Sequence, residues 1–527
     1  MSIFLNPDNE TFITHIKAET YVDKSEIVLE LNRLFNTDKR YVCVSRARRF
    51  GKTMMTALLT AYFSKACNSR QIFQNLNLGR HDDWDRNLNS QNVIKIDLNG
   101  WFQASEDVNL TIAKLKEALL AELCLAFPKA GITPDTPLAN ALLIINDQLA
   151  ETFVIIIDEY DVLFRENVPE TVRNEYLKLL SSLFKNEPLK KAIKLAYITG
   201  ILPIIRQNTQ SKLNNFREYT MLNPYNLAPY FGFTSDEVQA LCSKFCMDYN
   251  LCQAMYDGYH FPNAGHIFNP NSVVECIDTR AYNSFWTPTS SYYAITDCIN
   301  DDIDGIQQDI NRMLEGEDVD IEVESYQNNI EVFASKDEVF TYLVHLGYLA
   351  YDADTRSCRI PNLEIRQEWI RVMENAQGFQ SVKEVIATSR NLVQATLTSN
   401  AQAVAEALDL AHRRVSSNLT FNREATLQSA ILMAYFYATK DFLIFPELPA
   451  GDGFADVAFI PKSRRHSSII IELKKDADPQ QAIDQIKERN YHKSLTYNPN
   501  SQVLLVGITY NSVTKRHACK IESIDAK

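Results

Sequence analysis

Two short segments carry side chains in the patterns that phosphate chemistry needs. The first reads Tyr41-Val-Cys-Val-Ser-Arg-Ala-Arg-Arg-Phe-Gly-Lys-Thr, a β-branched run, a basic loop and then Gly51-Lys52-Thr53 opening a helix. Backbone N–H groups at a helix N-terminus cradle phosphates, a lysine reaches the outer ones, and a hydroxyl binds Mg²⁺. Lys52 and Thr53 therefore point to ATP with Mg²⁺. The general form GxxxxGK[ST] has a first Gly where this chain has Arg46. Arg48 and Arg49 extend that positive cluster. A later run, Phe153-Val-Ile-Ile-Ile-Asp158-Glu159, delivers carboxylates at the end of a buried strand, where α/β sheets bind ligands. Asp158 is expected to hold Mg²⁺. Glu159 is expected to polarise an attacking water, a poor nucleophile at neutral pH. Thr199, ending the next strand, is placed to sense a γ-phosphate, although a strand-ending Thr also serves as a helix cap. Arg206 is a candidate charge for the transition state, ordinary surface arginine being the plainer reading.

The second segment reads Ala455-Asp456-Val-Ala-Phe-Ile-Pro, a basic turn, then Ser468-Ile-Ile-Ile-Glu472-Leu-Lys474. Strand alternation puts Glu472 and Lys474 on one face, with Asp456 beside them on the neighbouring strand. Two carboxylates bind Mg²⁺, which activates water, while the lysine positions or deprotonates that water. Two amphipathic strands with one polar face would show the same letters.

The elements that must position these groups follow from the hydrophobic pattern. Continuous apolar runs at 41–44, 93–98, 153–158 and 193–199 read as strands of a parallel sheet covered on both faces. Helical stretches at 109–127 and 170–184 alternate with them, which implies a doubly wound α/β domain over 1–230. From 231 to 412 the chain reads as a helical middle region. Within it a helix near 337–347, a short hairpin and a further helix resemble a winged helix. Residues 413–527 read as a last α/β domain, with a helix at 425–438, strands at 442–448, 455–460, 468–473 and 502–508, and a helix at 479–495.

The length of 527 residues fits three domains at roughly 100–200 residues each. No apolar run approaches membrane-spanning length, so no membrane partner is expected. The N-terminus lacks a basic segment followed by an apolar one, so no secretory signal is expected. The closest cysteines, Cys242, Cys246 and Cys252, lack a paired CxxC and read as thiols on an apolar helix face. Reduced thiols suit a cytoplasmic protein. The formal charge of −13 excludes a protein that coats nucleic acid with its whole surface. Any contact must be local. Lys462, Arg464, Arg465 and His466, with Lys487, Arg489, His492 and Lys493, are the expected basic patch, although interleaved Asp484 and Glu488 also suit an ordinary charged face.

The motifs Tyr21-Val-Asp-Lys, Arg46-Ala-Arg-Arg-Phe-Gly-Lys-Thr, Ile157-Asp-Glu-Tyr-Asp, Thr199-Gly-Ile, Phe231-Gly-Phe-Thr, Tyr256-Asp-Gly-Tyr-His-Phe and Ile360-Pro-Asn together make the chain resemble a bacterial and archaeal family. That family joins an AAA-ATPase-like domain to a C-terminal PD-(D/E)xK nuclease-like domain with a restriction-endonuclease-like fold. Its usual loop is Arg-Pro-Arg-Arg-Phe-Gly-Lys-Ser, so Arg46, Arg48, Arg49, Phe50 and Gly51 match as nucleotide-loop positions. Ala47 and Thr53 depart from it, Thr53 equivalently. The resemblance adds Gln485, on a helix after ExK, beside the metal site. It also adds Glu424, heading the preceding helix, as a further acidic member. Phe454 stands where the family often carries a basic residue. The implied activity is an ATPase coupled to a Mg²⁺-dependent nuclease acting on DNA, in phage defence or mobile-element biology. The Phe454 departure keeps open a nucleotide-driven switch that binds nucleic acid or a protein partner without cleavage. The missing first Gly keeps open a scaffold that binds nucleotide without turnover. A homo-oligomer is compatible with the ATPase class, which often places an arginine across a subunit boundary.

Overall fold

The computed structural model describes residues 3–204, 213–286, 299, 302–314, 316–324, 326, 333–375, 380–415, 431–432, 434–450, 453–462, 466–491 and 502–525. The chain divides into two compact units. One holds Met1–Tyr249, Asp257–Val274 and Asp320–Cys358, and the other holds Asn250–Tyr256, Glu275–Val319 and Arg359–Lys527.

The first unit is built on a five-stranded parallel sheet. Its strands are β1 (Tyr41–Ser45), β2 (Asn92–Asp97), β3 (Phe153–Asp158), β4 (Ile193–Gly200) and β5 (Arg217–Tyr219), in the order β2-β3-β4-β1-β5. Alternate residues of each strand enter different cores. Cys43, Ile96, Ile155, Ile157 and Ile198 join one apolar cluster, while Val42, Val44, Val93, Val154, Ile156 and Tyr197 join the other. Helix α1 (Lys52–Phe63) supplies Met55, Leu58, Leu59 and Tyr62 to the second cluster. Helices α2 (Thr111–Ala126), α3 (Leu138–Leu149) and α4 (Glu170–Phe184) supply Leu115, Leu142 and Leu180 to the first. Both faces are thus covered, and ligands are left the edge where the parallel strands end. Ser45, Asp97, Asp158 and Gly200 are the last residues of β1 to β4 and share that edge.

The same unit holds a small sheet of β6 (Phe233–Thr234), β7 (Tyr259–Phe261) and β8 (Gly265–Phe268), in the order β6-β8-β7. Helix α5 (Ser235–Phe245) follows β6 and starts with a reciprocal capping box between Thr234 and Glu237. Glu237 also accepts from Lys24 Nζ at 2.6 Å. Further on, helix α6 (Lys336–Leu346) begins with a Ser335 cap and ends at Gly347, φ +86°. Strands Ala350–Asp352 and Ser357–Arg359 and helix Leu363–Asn375 come next in the chain.

The second unit carries helices α7 (Gln380–Leu397) and α8 (Ala401–Val415) and a mixed five-stranded sheet. Strands β9 (Phe442–Ala450), β10 (Gly453–Pro461) and β11 (Ser468–Lys475) pair antiparallel in that order. Helix α9 (Pro479–Glu488) crosses to β12 (Gln502–Asn511), which pairs parallel with β11, and β13 (Arg516–Asp525) closes antiparallel on β12. Ile471, Leu473, Val506 and Ile508 face Leu392, Val393, Val404 and Leu408 of α7 and α8. Their strand neighbours Glu472 and Gly507, partners in the register, therefore face the other side. A Cβ on Gly507 would lie 2.3 Å from the Pro479 carbonyl oxygen and 3.1 Å from Ala482 Cβ. Gly507 thus lets α9 lie close against the sheet beneath Glu472. Gly507→Ala should lift α9 and cost about 1–3 kcal/mol of stability. Urea unfolding with an unchanged midpoint would contradict this contact.

Candidate functional site

The loop between β1 and α1 is shaped by its backbone. Gly51 adopts φ +83° and Arg49 φ +68°, a left-handed pair of positions just before the helix. The Lys52 ammonium spans the loop and donates to the carbonyl oxygens of Arg46 and Ala47, each at 2.9 Å. Burial lowers its pKa to about 8, against the pull of Glu159, Asp161 and Asp158. Thr53, exposed at the start of α1, hydrogen-bonds the Asp158 carboxylate at the end of β3. Thr56 donates to the same carboxylate at 3.3 Å. Burial raises the Asp158 pKa, and the Thr53 bond and Lys52 oppose that rise. An ammonium, a hydroxyl and an incompletely compensated carboxylate at one strand edge fit a nucleotide phosphate with its Mg²⁺.

Glu159 follows with φ +50°, and its carboxylate accepts from Arg165 Nη2 at 3.0 Å. The same arginine donates through Nε to Asp161 at 2.9 Å. Burial works to lower the Arg165 pKa, but Asp161 and Glu159 outweigh it and the net shift is upward. Asp161 Oδ2 also accepts from the backbone N–H groups of Ile201 and Leu202 at 3.0 and 2.9 Å. It ties the end of β3 to the segment leaving β4. Gly200 is required by this approach, since a Cβ there would stand 2.5 Å from Asp161 Oδ1. Asp161 and Arg165 had no role in the sequence reading. Their i, i+4 spacing of acid and arginine was the available signal.

Three residues expected at the nucleotide, Arg46, Thr199 and Phe50, are buried. The Arg46 side chain is fully buried, donating through Nη1 to the carbonyls of Ser45 and Tyr219 at 2.8 Å each. Its guanidinium lies 5.2 Å from the Phe231 ring centre and 5.8 Å from that of Phe261. Burial lowers its pKa to about 9. Arg46 therefore braces the loop from beneath, and only its carbonyl meets Lys52. Thr199 is also fully buried, and its hydroxyl donates to Val44 O at 3.0 Å, stitching β4 to β1. Phe50 is buried edge-on against Tyr259 at 5.3 Å, so of the loop's basic residues Arg48, half-buried, and Arg49, exposed, remain on the accessible side. Phe231, Tyr259 and Phe261 thus supply aromatic packing around the loop. Arg206 lies outside the described residues.

The second constellation comes together on the mixed sheet. The β10–β11 register pairs Val457 with Ile471, which carries Asp456 alongside Glu472. Asp456 Oδ2 accepts from Leu473 N at 2.7 Å. Glu472 is 1% exposed. Its Oε1 accepts from Lys474 Nζ at 3.0 Å and from Gln485 Nε2 on α9. Its Oε2 is buried with no hydrogen-bond partner. Burial and then Asp456 raise the Glu472 pKa to about 7, against the opposing lysine. A buried carboxylate oxygen without a donor, beside a second carboxylate, fits a divalent cation. No group of three or more His, Cys, Asp or Glu that could hold a metal occurs among the described residues. Glu424, the expected third acid, lies outside them, and so does the side chain of Phe454.

The expected basic patch is altered. Lys462 is half-buried and donates to Thr439 O at 2.8 Å and Gln367 Oε1 at 3.1 Å. Lys487 pairs with Glu522 at 2.5 Å. Arg489 is exposed, and His466 packs its ring 5.4 Å from that of Phe442. Arg464, Arg465, His492 and Lys493 lie outside the described residues.

Residues 11–209 match the family described as "Predicted AAA-ATPase", and residues 422–519 match the "PD-(D/E)XK nuclease superfamily". The chain joins an AAA-ATPase-like domain to a PD-(D/E)XK nuclease-superfamily domain. Gly51–Thr53 and Asp158–Glu159 fall in the first span, and Glu424, Asp456, Glu472, Lys474 and Gln485 in the second. No curated protein matches. A solved structure, "Structure of the Aeropyrum Pernix ORC2 protein (ADPNP-ADP complexes)", is 11% identical with a TM-score of 0.32, covering 70% of this chain and 98% of that one. No described helix is long and apolar enough to cross a membrane.

Two outcomes follow from the charge states. Phosphate binding to the AAA-ATPase-like domain favours protonated Lys52, so ATP affinity should fall as pH rises above about 8, by up to about tenfold per unit. Titration calorimetry showing constant affinity between about pH 7 and 10 would count against it. In the nuclease-superfamily domain, the folded Glu472 pKa of about 7 exceeds the usual value of 4.5. That favourable contribution is complete below the unfolded value and is lost as pH rises through about 7. In chelator, Glu472→Gln should therefore raise the melting temperature near pH 8 by a few degrees and leave it unchanged near pH 4.5. An equal change at both would refute the assignment.

Proposed function

We propose that this protein is a cytoplasmic ATPase coupled to a Mg²⁺-dependent nuclease that cuts DNA, in phage defence or mobile-element biology. One observation carries the reading: Glu472 is buried with an unpartnered oxygen while Asp456, Lys474 and Gln485 converge on it. Water-facing carboxylates need no such arrangement. A buried one, short of positive charge, is suited to an ion and to the phosphate that the ion binds.

At the ATPase site Lys52 holds the outer phosphates, and Thr53 with Asp158 would hold Mg²⁺. Glu159 orients the attacking water once Arg165 releases it. Arg48 and Arg49 add charge on the accessible side of the loop. Arg46 and Thr199 support the loop and the strand edge. At the nuclease site Asp456 and Glu472 would hold Mg²⁺, which, when bound, lowers the pKa of a water and neutralises phosphate charge. Lys474 positions that water or takes its proton. Gln485 orients Glu472, and Glu424 is a further acid for the cluster. The domain division proposed is 1–230, 231–412 and 413–527.

The test is plasmid cleavage with Mg²⁺ and ATP, run beside phosphate release. Glu472→Ala and Lys474→Ala should each lower cleavage by at least about a hundredfold while leaving ATP turnover intact. Lys52→Ala and Glu159→Gln should abolish ATP turnover. Wild-type ATP turnover with no cleavage across metals and DNA forms would reject the nuclease reading in favour of a nucleotide-driven switch. Nucleotide binding without turnover would reject the ATPase reading.

A further inference from the structure

Of the expected cationic patch, Lys462 and Lys487 are taken up by internal bonds, and further positive charge stands at the end of β11. Glu472 and Lys474 belong to the site, and Lys475 follows, exposed. The parallel register pairs Lys474 with Thr509 and Lys475 with Tyr510, so the turn after β12 stands at the same end of the sheet. At about 3.3 Å per residue, Lys475 lies about 10 Å along the strand from Glu472.

That turn is unusually well tied. Asp476, at φ +53°, accepts from Ser512 N at 2.7 Å and from Ser512 Oγ at 2.9 and 2.8 Å. Its own N–H donates to Tyr510 O at 2.9 Å. Asn511 Oδ1 accepts from Val513 N and Thr514 N at 3.0 and 2.8 Å. The β12–β13 hairpin is thereby clamped to the end of the site strand. At its tip Val513 is 87% exposed, the highest value for a large apolar side chain among the described residues. Lys515 and Arg516 are exposed beside it, and neither forms an ion pair among the described residues. The nearby acids are both engaged, Asp476 through two oxygens with Ser512 and Asp409 through Oδ1 with the backbone N–H and ring of His517. By contrast Lys487 and Lys520 on the same domain pair with Glu522.

A rigid turn that holds an apolar side chain in water gains nothing for folding. Beside two exposed cations it has the composition of a nucleic-acid contact: charges for the phosphates and an apolar tip for a groove. We propose that the β12–β13 hairpin tip docks duplex DNA beside the nuclease site, with Lys515 and Arg516 meeting phosphates and Val513 lying against sugar and base edges. The proposal rests on the nuclease reading and adds the element that presents the substrate. The clamp keeps the ordering cost of binding small.

The experiment is fluorescence anisotropy of the full chain on a labelled duplex with Ca²⁺, titrated across salt concentrations. Lys515→Glu with Arg516→Glu should weaken binding at least about tenfold and reduce the salt slope by about two. Val513→Ser should weaken it severalfold with the slope unchanged. Lys190→Glu with Lys191→Glu, the same change in net charge on the ATPase-like domain, should shift affinity less than about twofold. Equal effects from the two double variants overturn the proposal, as does wild-type binding that favours single-stranded RNA over the duplex or shows no salt dependence. Circular dichroism and retained ATP turnover establish that the variants fold. Cleavage with Mg²⁺, compared with Glu472→Gln, is read separately. Hairpin-dependent binding without cleavage upholds the docking surface and rejects the nuclease reading. Cleavage with hairpin-independent binding does the reverse.

Discussion

Charge buried against a sheet, at its strand ends in one domain and on its face in the other, is the constraint on which both domains depend. A carboxylate or ammonium removed from water must be met by partners, or its pKa shifts until it is neutral. Here the compensation stops short. Lys52 is held at about 8 and Glu472 at about 7, each with opposite charge nearby but not enough of it. Structural ion pairs are usually closed, as Arg165 is between Glu159 and Asp161. Under the proposed function, the open pairs are where a ligand of the missing charge would bind: an anion over Lys52, a cation beside Glu472.

The two sheets reach this condition by different routes. In the parallel sheet, helices cover both faces, so the strand ends alone are available and the polar residues gather there. In the mixed sheet, alternation along β11 sends Ile471 and Leu473 into the core and Glu472 to the opposite side. The absence of a side chain at Gly507 then brings α9 near enough for Gln485 to reach the carboxylate. One strand face therefore sets both the stability of the domain and the direction of its chemistry.

Much of this was legible in the sequence. The run Phe153–Asp158 matches β3 residue for residue, because five apolar residues ending in an acid leave little choice of fold. The helix Glu170–Phe184 was legible from its apolar spacing. The i, i+2 spacing of Glu472 and Lys474 implied the face they share, and Gln485 was reached through family resemblance. β13 was not seen: Arg516–Asp525 alternates charged and polar residues with few apolar ones, the habit of an edge strand. Arg46 was read by its charge, whereas its position is decided by two aromatic rings far away in the chain. Lys462 was read as a surface cation for the same reason, and Gln367 and the Thr439 carbonyl hold it instead. Long-range partners of this kind leave no local pattern.

Arg46 also bears on how such a loop changes over time. Its guanidinium fills the space between Phe231 and Phe261 and bonds the carbonyls of Ser45 and Tyr219. Glycine at this position would empty that space and remove the donor to both carbonyls. Shrinking either ring first would expose the cation's flanks. The three residues thus constrain one another, since a change at Arg46 removes a contact of each ring and a change at either ring removes a contact of Arg46.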